Sequence, residues 1–177
     1  MSNFSVPTRD QVSESNQAIF DNLQKAVGFV PNIYAAMAHS KNALGSYLQF
    51  SGSETSLSKK EKEVVDLAVS QLNGCRYCQS AHTAIGKMNG FTDDQIIELR
   101  KGTASWDNKT SVLAQTSKLI ADKRGKISNE ELETFFNAGF TKENLVDLIV
   151  AIGSITITNL FHNVTDVPID FPIAPEL

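Results

Sequence analysis

Helix start and stop signals recur along almost the whole chain, and they constrain its fold more than any other feature. Capping boxes, in which Ser or Thr is followed three residues later by Glu or Gln, occupy 58–61, 92–95 and 128–131. The segments between such signals carry apolar residues at helical spacing, and no segment shows convincing strand alternation. The sequence therefore predicts an all-α fold of eight or nine helices.

The predicted helix boundaries follow from these caps and from glycines and prolines. Gly28 ends the first helix, Pro31 starts a short second one, and Asn73-Gly74 tolerates a left-handed stop. The predicted helices cover about 7–27, a short stretch from 31, 41–50, 58–72, 75–90, a stretch from 92, 107–123, 128–139 and 141–163. The last segment is rich in β-branched residues and could form a buried strand, but its length and caps favour a buried helix.

The chain shows no internal boundary between domains. Its 177 residues are the length of one ordinary domain, and no linker or low-complexity run divides them. We therefore expect a single all-helical domain over 1–177, with a motif core at 58–90. The tail at 166–177 contains three prolines, which exclude regular helix or central strand, and we expect it to pack along the surface.

Composition and charge narrow the class of function. Apolar residues make up 41% of the chain and charged residues 20%, which is typical of a globular protein. The formal net charge is −4 at pH 7, so nucleic acid and anionic membranes are not expected partners. No uninterrupted apolar run approaches the roughly 18 residues of a membrane helix, and the polar N-terminus lacks the features of a signal peptide. We expect a soluble, cytoplasmic protein.

Three reactive side chains lie in one short segment. Cys75, Cys78 and His82 stand at positions i, i+3 and i+7, so they share one face of the helix predicted there. Cys78 falls in the first turn, where the helix dipole and free N–H groups favour a thiolate. His82 can accept or relay a proton, and a second thiol can resolve an oxidised first one as a disulfide. The pattern predicts thiol redox chemistry.

Two other interpretations of these residues remain open. The cysteines could be small buried apolar residues, although their spacing with a histidine disfavours this. They could instead bind zinc together with His82, and Glu63 is then a possible further ligand. No partner pattern accompanies His39 or His162, which we expect to be surface or helix-end residues.

The segment 58–88 places Glu63 twelve residues before a Cys-x-x-Cys-x-x-x-His motif that ends at His82. In these four positions it resembles the core of the AhpD-like alkylhydroperoxidase family, part of the carboxymuconolactone decarboxylase superfamily. Looser similarity to the peroxidase-related branch of that family continues at 28–34 (GFVPNIY), 138–141 (AGFT) and 165–172 (TDVPIDFP). Together these segments extend over most of the chain.

The resemblance implies a compact AhpD-like all-α fold, commonly assembled as a homo-oligomer, either trimer or hexamer. It also implies a thiol-dependent peroxidase or disulfide reductase in antioxidant defence, with a hydroperoxide as substrate and a thiol or dithiol protein as electron donor. It makes Cys78 the peroxidatic thiol, Cys75 the resolving thiol, and Glu63 with His82 the proton relay. We expect no cofactor and no metal.

Helix geometry agrees with part of this assignment and disagrees with part. In an antiparallel hairpin Glu63 would lie about 15 Å and His82 about 10 Å from the turn, so the two should meet more easily than Glu63 meets either sulfur. However, Glu63 falls at the flank of the apolar stripe of its helix, which predicts a boundary or solvated side chain. Only the resemblance makes Glu63 a site residue.

Two positions in the motif bear on the activity. Cys78 is one turn from His82 whereas Cys75 is two turns away, so proximity to the base favours Cys78 as the attacking thiol. Tyr77 stands where the best-known peroxidases of the family carry a relay histidine. A tyrosine, with a pKa of about 10, can donate a hydrogen bond but shuttles protons poorly at pH 7, so we expect peroxide turnover to be slow or secondary.

Two alternative functions follow from the same residues. A carboxymuconolactone decarboxylase-like enzyme would fit the superfamily, but it would leave the cysteine pair unexplained. A non-enzymatic redox sensor would use a reversible Cys75–Cys78 disulfide to change its assembly, without catalytic turnover.

Overall fold

The computed structural model describes residues 4–177, which form nine α-helices, a single-turn 3₁₀ helix (Arg9–Gln11) and no β-strand. The α-helices are α1 (Glu14–Val27), α2 (Asn32–Met37), α3 (Ala43–Ser51), α4 (Lys59–Leu72), α5 (Arg76–Met88), α6 (Asp93–Lys101), α7 (Asn108–Asp122), α8 (Asn129–Asn137) and α9 (Lys142–Thr165). The predicted all-α class and number of helices are confirmed for this part of the chain.

Most helices start where their caps predict. The three predicted capping boxes are all formed, with Ser58 opening α4, Thr92 opening α6 and Ser128 opening α8. In each, the cap hydroxyl accepts a hydrogen bond from an amide in the first turn, and the side chain three residues on accepts from the amide of the cap. These contacts are local, and short-range sequence is therefore sufficient to place the helices.

The first helix begins later than predicted. Instead of one helix from about residue 7, the chain forms the 3₁₀ turn, passes through the extended residue Val12, and starts α1 after Ser13. Ser13 caps α1 by accepting a hydrogen bond from the amide of Asn16. Val12 lies seven residues before Ile19, a spacing that mimics helical periodicity, and its side chain is buried although it lies outside the helix.

The central helix is α4, which packs against α5, α6, α7 and α9. Its apolar face is fully buried and consists of Val64, Val65, Leu67, Ala68 and Val69. At its end Asn73 and Gly74 reverse the chain, and Gly74 has a φ of +67°, which glycine adopts without strain. After this reversal α5 runs back alongside α4, so that the middle of one helix lies next to the middle of the other.

The most apolar segment of the chain is the helix α9 and not a strand, as its length and caps predicted. One face packs against α4 through Leu148, Ile152 and Ile155. The opposite face leaves apolar side chains exposed, namely Val146, Ile149, Val150, Ile157, Leu160 and Val164. This helix is long and apolar enough to cross a membrane, with a mean hydropathy of 1.6, but the buried core helix of a soluble protein can have the same length and hydropathy. The expected absence of a membrane partner stays a prediction.

The proline-rich tail has no regular secondary structure, as predicted, but it is held more firmly than a surface segment. The side chains of Arg76 and Arg100 donate hydrogen bonds to the carbonyls of Ala174 and Pro175, at 2.8 and 2.9 Å. The amide of Ala174 donates to the hydroxyl of Ser80, and Ala174 is buried. The tail therefore packs over the first turn of α5, which carries the cysteines.

Candidate active site

The two cysteines lie at the N-terminus of α5. Cys75 is the residue that caps the helix, and its sulfur accepts a hydrogen bond from the amide of Cys78 at 3.2 Å. The two sulfurs are paired as a disulfide, with Cα atoms 5.3 Å apart. The helix begins one residue after its predicted start.

Glu63 and His82 meet across the hairpin of α4 and α5. Oε2 of Glu63 lies 3.0 Å from Nδ1 of His82, so the contact predicted from helix geometry is present. The prediction that Glu63 is a boundary or solvated residue is wrong, since only 7% of it is exposed. Glu63 is buried because α5 packs against the flank of α4. The periodicity of α4 alone contains no information about this packing.

Asp66 is a third member of this group, and sequence reasoning missed it. It lies one turn after Glu63 on α4, and its Oδ2 is 3.6 Å from the same Nδ1 of His82. The spacing of the two acids, three residues apart, places them on one helix face and is the signal that could have found Asp66.

Burial and charge shift the pKa values of these groups. Burial lowers the pKa of His82, but the negative charges of Glu63 and Asp66 outweigh it and raise the pKa to about 9. Burial raises the pKa of Asp66 to about 7, against the opposing charge of His82 and with a contribution from the like charge of Glu63. Together the imidazole and two carboxylates hold a dissociable proton near neutral pH.

A cavity of about 840 Å³ opens beside this group. Cys78, His82, Glu63 and Asp66 line it, whereas Cys75 does not. Much of the remaining wall is aromatic or aliphatic, including Phe29, Ile33, Tyr34, Tyr47, Phe50 and Phe171. A cavity of this size and character accommodates a molecule much larger than hydrogen peroxide.

Tyr77 ties the cysteine motif to two other parts of the chain. Its hydroxyl donates a 2.6 Å hydrogen bond to Oδ1 of Asp170 in the tail and accepts one from the amide of Ile33 at 3.3 Å. The amide of Asn32 donates to the other oxygen of Asp170 at 2.7 Å. Burial and the bond to Asp170 both raise the pKa of Tyr77, so the phenol stays protonated at neutral pH.

The two remaining histidines differ from each other. His39 is exposed, as predicted, and its Nε2 lies 2.8 Å from the backbone carbonyl of Ser5. His162 lies in the last turn of α9, as expected for a helix-end residue, but it is buried under the tail and its ring packs 5.4 Å from that of Tyr77. Neither of its ring nitrogens has a hydrogen-bond partner within residues 4–177, and burial lowers its pKa.

One group of described residues has the composition of a cation site. Glu63, Asp66 and His82 each offer one ligand atom, and these atoms lie within 4.8 Å of one another. The hydrogen bond between Glu63 and Nδ1 of His82 already holds the group together without an ion. The zinc site considered from the sequence would need the two cysteines as thiolates, and here their sulfurs are joined to each other.

Comparison with known proteins agrees with this architecture. Residues 31–116 match the carboxymuconolactone decarboxylase family. Over 111 residues the chain is 28% identical to the uncharacterized protein YdfG of Bacillus subtilis strain 168, an alignment that covers 60% of this chain and 74% of that protein.

Solved structures share the fold over nearly the whole chain. An uncharacterized peroxidase-related protein of Ralstonia eutropha JMP134, described as an alkylhydroperoxidase AhpD core, has a TM-score of 0.86 at 19% identity and covers 96% of this chain and 92% of that one. A peroxidase-related protein of Silicibacter sp. TM1040 has a TM-score of 0.83 at 23% identity, over 94% and 91%. The debrominase Bmp8 in complex with 2,3,4-tribromopyrrole has a TM-score of 0.80 at 12% identity, over 96% and 92%.

Fold and site together define an AhpD-like helical protein with a cysteine pair at a helix N-terminus, beside a histidine and two carboxylates. Residues 31–116 of the chain match the carboxymuconolactone decarboxylase family, and the resemblance seen in the sequence motif is confirmed.

Proposed function

We propose that this protein is a thiol-dependent peroxidase or disulfide reductase that uses the pair Cys75 and Cys78 to reduce a hydroperoxide. The observation that carries the proposal is the position of Cys78, which lines the cavity together with the bonded pair His82 and Glu63. A nucleophile, a base and a group that orients the base are the parts that thiol catalysis needs. The fold shared with AhpD-like proteins supports the same class of activity.

The peroxidatic half of the cycle begins with Cys78 as a thiolate beside His82, which already holds the proton. The thiolate attacks the terminal oxygen of the hydroperoxide, the O–O bond breaks, and Cys78 becomes a sulfenic acid that keeps that oxygen and its hydrogen. His82 gives the proton to the leaving alkoxide, which departs as an alcohol. Glu63 holds Nδ1 of His82, which leaves Nε2 as the nitrogen available to the thiol.

The resolving half of the cycle restores the thiols. The Cys75 thiol attacks the sulfenic sulfur of Cys78, the disulfide forms, and the hydroxyl leaves as water with the proton of Cys75. A thiol or dithiol protein then reduces this disulfide with two electrons and becomes oxidised itself. The closeness of the two sulfurs supports this disulfide as an intermediate of the cycle.

The cavity wall supports Cys78 as the attacking thiol and Cys75 as the resolving one. Both cysteines are buried, but Cys75 caps the helix and does not line the cavity. Cys78 lies one turn before His82 on α5 and does line it. A substrate in the cavity therefore reaches the sulfur of Cys78 first.

The experiment compares the reduced wild-type protein with Cys75→Ser and Cys78→Ser after addition of an organic hydroperoxide. We expect an intramolecular disulfide in the wild type, a sulfenic acid on Cys78 that a dimedone probe traps in Cys75→Ser, and no trapped species in Cys78→Ser. Intact mass and thiol counting distinguish these products. Trapping on Cys75 instead would contradict the assignment, and slow, equal oxidation of all three proteins would favour a redox sensor.

A second candidate reaction uses the same thiols on a different electrophile. The volume of the cavity and its aromatic wall favour a bulky ring over a small peroxide, and the fold is shared with a debrominase. In that reaction the dithiol supplies two electrons and the hydrogen that replaces bromine on carbon, bromide and one proton are released, and the Cys75–Cys78 disulfide forms. Incubating the reduced protein with a bromopyrrole and measuring bromide against thiol loss tests it, with one bromide per disulfide expected.

We further propose that the chain forms a homo-oligomer, a trimer or hexamer, through the exposed apolar face of α9. Leu160 and Val164 are 60% and 81% exposed on that face, which is unusual for apolar residues of a monomer when they form a continuous stripe. Light scattering should give a mass several times 19.4 kDa. Val164→Glu should lower that mass, whereas Ile173→Glu, at an exposed apolar position of the tail, should not.

A further inference from the structure

Two carboxylates on consecutive turns of α4 face one imidazole nitrogen. Oε2 of Glu63 is 3.0 Å from Nδ1 of His82 and Oδ2 of Asp66 is 3.6 Å from it. Nδ1 carries a single hydrogen, so Glu63 takes the hydrogen bond and Asp66 acts on the ring through its charge. Within residues 4–177 this is the only ion pair that Asp66 makes.

Resting on the proposed function, we propose that Asp66 is a positioning residue for the reaction, which keeps His82 protonated beside Cys78 until the leaving alkoxide takes the proton. The carboxylate takes no direct part in the reaction at the sulfur of Cys78. It acts through His82, and its removal leaves the hydrogen bond from His82 to Glu63 in place.

The physical basis is the charge balance of a buried group. Above the pKa of Asp66, which is about 7, both carboxylates are ionised, and a neutral imidazole would stand beside two negative charges, so protonation of the ring is favoured there. The pKa of His82 is raised to about 9 despite burial, and Asp66 is one of the two charges that raise it. Replacing Asp66 by a neutral side chain leaves one charge against the same burial, and the pKa of His82 should then fall.

The other ionisable groups around the site do not replace this charge. Lys62 on α4 opposes protonation of His82, and its ammonium group donates to the carbonyl of Ser51. Tyr34 on α2 and Tyr47 on α3 line the cavity, and burial raises the pKa of both phenols, so they are neutral at pH 7. From α9, Asp147 also lines the cavity, and its carboxylate accepts a 2.6 Å hydrogen bond from the amide of Ser56.

In the reaction, a protonated His82 has two effects on the same step. It stabilises the thiolate of Cys78 one turn away on the same helix face, and it supplies the proton that turns the alkoxide into an alcohol. Both effects are lost when the pH exceeds the pKa of His82. The pH at which the oxidation rate begins to fall on the alkaline side therefore reports the influence of Asp66.

The test uses Asp66→Asn, the conservative variant Asp66→Glu, and Glu133→Gln as a matched control. Glu133 is an exposed acid on α8 that does not line the cavity, so its variant loses an equal charge away from the site. The first readout is the NMR titration of His82 in the oxidised protein, where the cysteines do not ionise; the chain has only 3 histidines to resolve. The second is the pH dependence of Cys78 oxidation by an organic hydroperoxide in the reduced protein.

We expect Asp66→Asn to lower the pKa of His82 by about one to two units and to move the alkaline limb of the rate profile by a similar amount. Asp66→Glu and Glu133→Gln should keep both near their wild-type values. The role of Asp66 is overturned if Asp66→Asn lowers the rate by the same factor at every pH, without shifting the alkaline fall of the profile. It is also overturned if the pKa of His82 is unchanged in that variant. If the wild type itself reacts no faster than free cysteine, the proposed function fails first, and the role of Asp66 fails with it.

Discussion

The hydroxyl of Tyr77 donates a 2.6 Å hydrogen bond to the carboxylate of Asp170, which joins the residue next to Cys78 to the C-terminal tail. The same carboxylate accepts from the amide of Asn32 at the start of α2. Three segments distant in sequence therefore meet at the cysteine motif. Tyr77 acts here as a fixed donor, since its pKa is raised by burial and by this bond.

Tyr77→Phe should lower the free energy of unfolding but change the rate of Cys78 oxidation little. It removes a hydrogen bond to a charged acceptor, which lowers the free energy of unfolding by about 1.5–3 kcal/mol. Because the phenol holds its proton at neutral pH, the rate of Cys78 oxidation should change less than about threefold, far below the 10²–10⁴-fold that a proton-transfer group contributes. Urea denaturation and stopped-flow oxidation measure the two effects. A large loss of rate with unchanged stability would make Tyr77 part of the proton relay.

Replacement of Glu63 should affect the reaction strongly. Glu63→Gln removes the buried charge that faces Nδ1 of His82 but keeps a side chain of the same shape. His82 then binds its proton less tightly and is less firmly oriented, so we expect Cys78 oxidation at pH 7 to slow by about 10²-fold. Glu61→Gln, which alters an acid of the capping box two residues before Glu63, is the control and should keep the wild-type rate. Equal rates for Glu63→Gln and wild type would remove Glu63 from the relay.

His162 should make the protein less stable in mild acid. Burial lowers its pKa in the folded state, whereas the unfolded chain has the ordinary value of about 6.5. As the pH falls below about 6.5, the unfolded state binds a proton that the folded state resists, so the free energy of unfolding decreases. His162→Phe removes this titration. The thermal midpoint should therefore fall more between pH 7.5 and pH 5.5 for the wild type than for the variant. An equal fall in both proteins would show that another group causes the loss of stability in acid.

Removal of metal ions should leave the thiol chemistry intact. Glu63, Asp66 and His82 could together hold a cation, but the proposed relay needs their protons and their free charges instead. After dialysis against EDTA, the rate of Cys78 oxidation should stay at its starting value, and elemental analysis should find no stoichiometric metal. A tightly held ion at one per chain, with a changed rate after its removal, would assign this group to metal binding.

The parts of the structure set by local sequence were predictable. Capping boxes such as that of Ser58 place helix starts through contacts three residues apart, and the stripe of Cys75, Cys78 and His82 follows from helical spacing alone. The contact from Glu63 to His82 was also accessible, because a tight turn between two helices fixes which residues lie opposite each other.

The parts set by tertiary packing were not predictable from the chain by itself. Glu63 is buried where α5 packs on α4, and although the spacing of Asp66 from Glu63 is visible in the sequence, its approach to the same imidazole depends on that packing. His162 is a helix-end residue in sequence, but it is buried and its ring packs against that of Tyr77 on α5. Each of these outcomes depends on a neighbour that is distant in sequence, and helical periodicity carries no information about such neighbours.

The most direct measurement of the central claim is the stopped-flow rate at which an organic hydroperoxide oxidises Cys78 in the reduced protein, with free cysteine as reference and Cys78→Ser as control. The account predicts one disulfide per hydroperoxide consumed, a rate constant at least about 100-fold above free cysteine from proton transfer by His82, and loss of that rate in Cys78→Ser. A rate equal to that of free cysteine, in the wild type and at every pH, would contradict it.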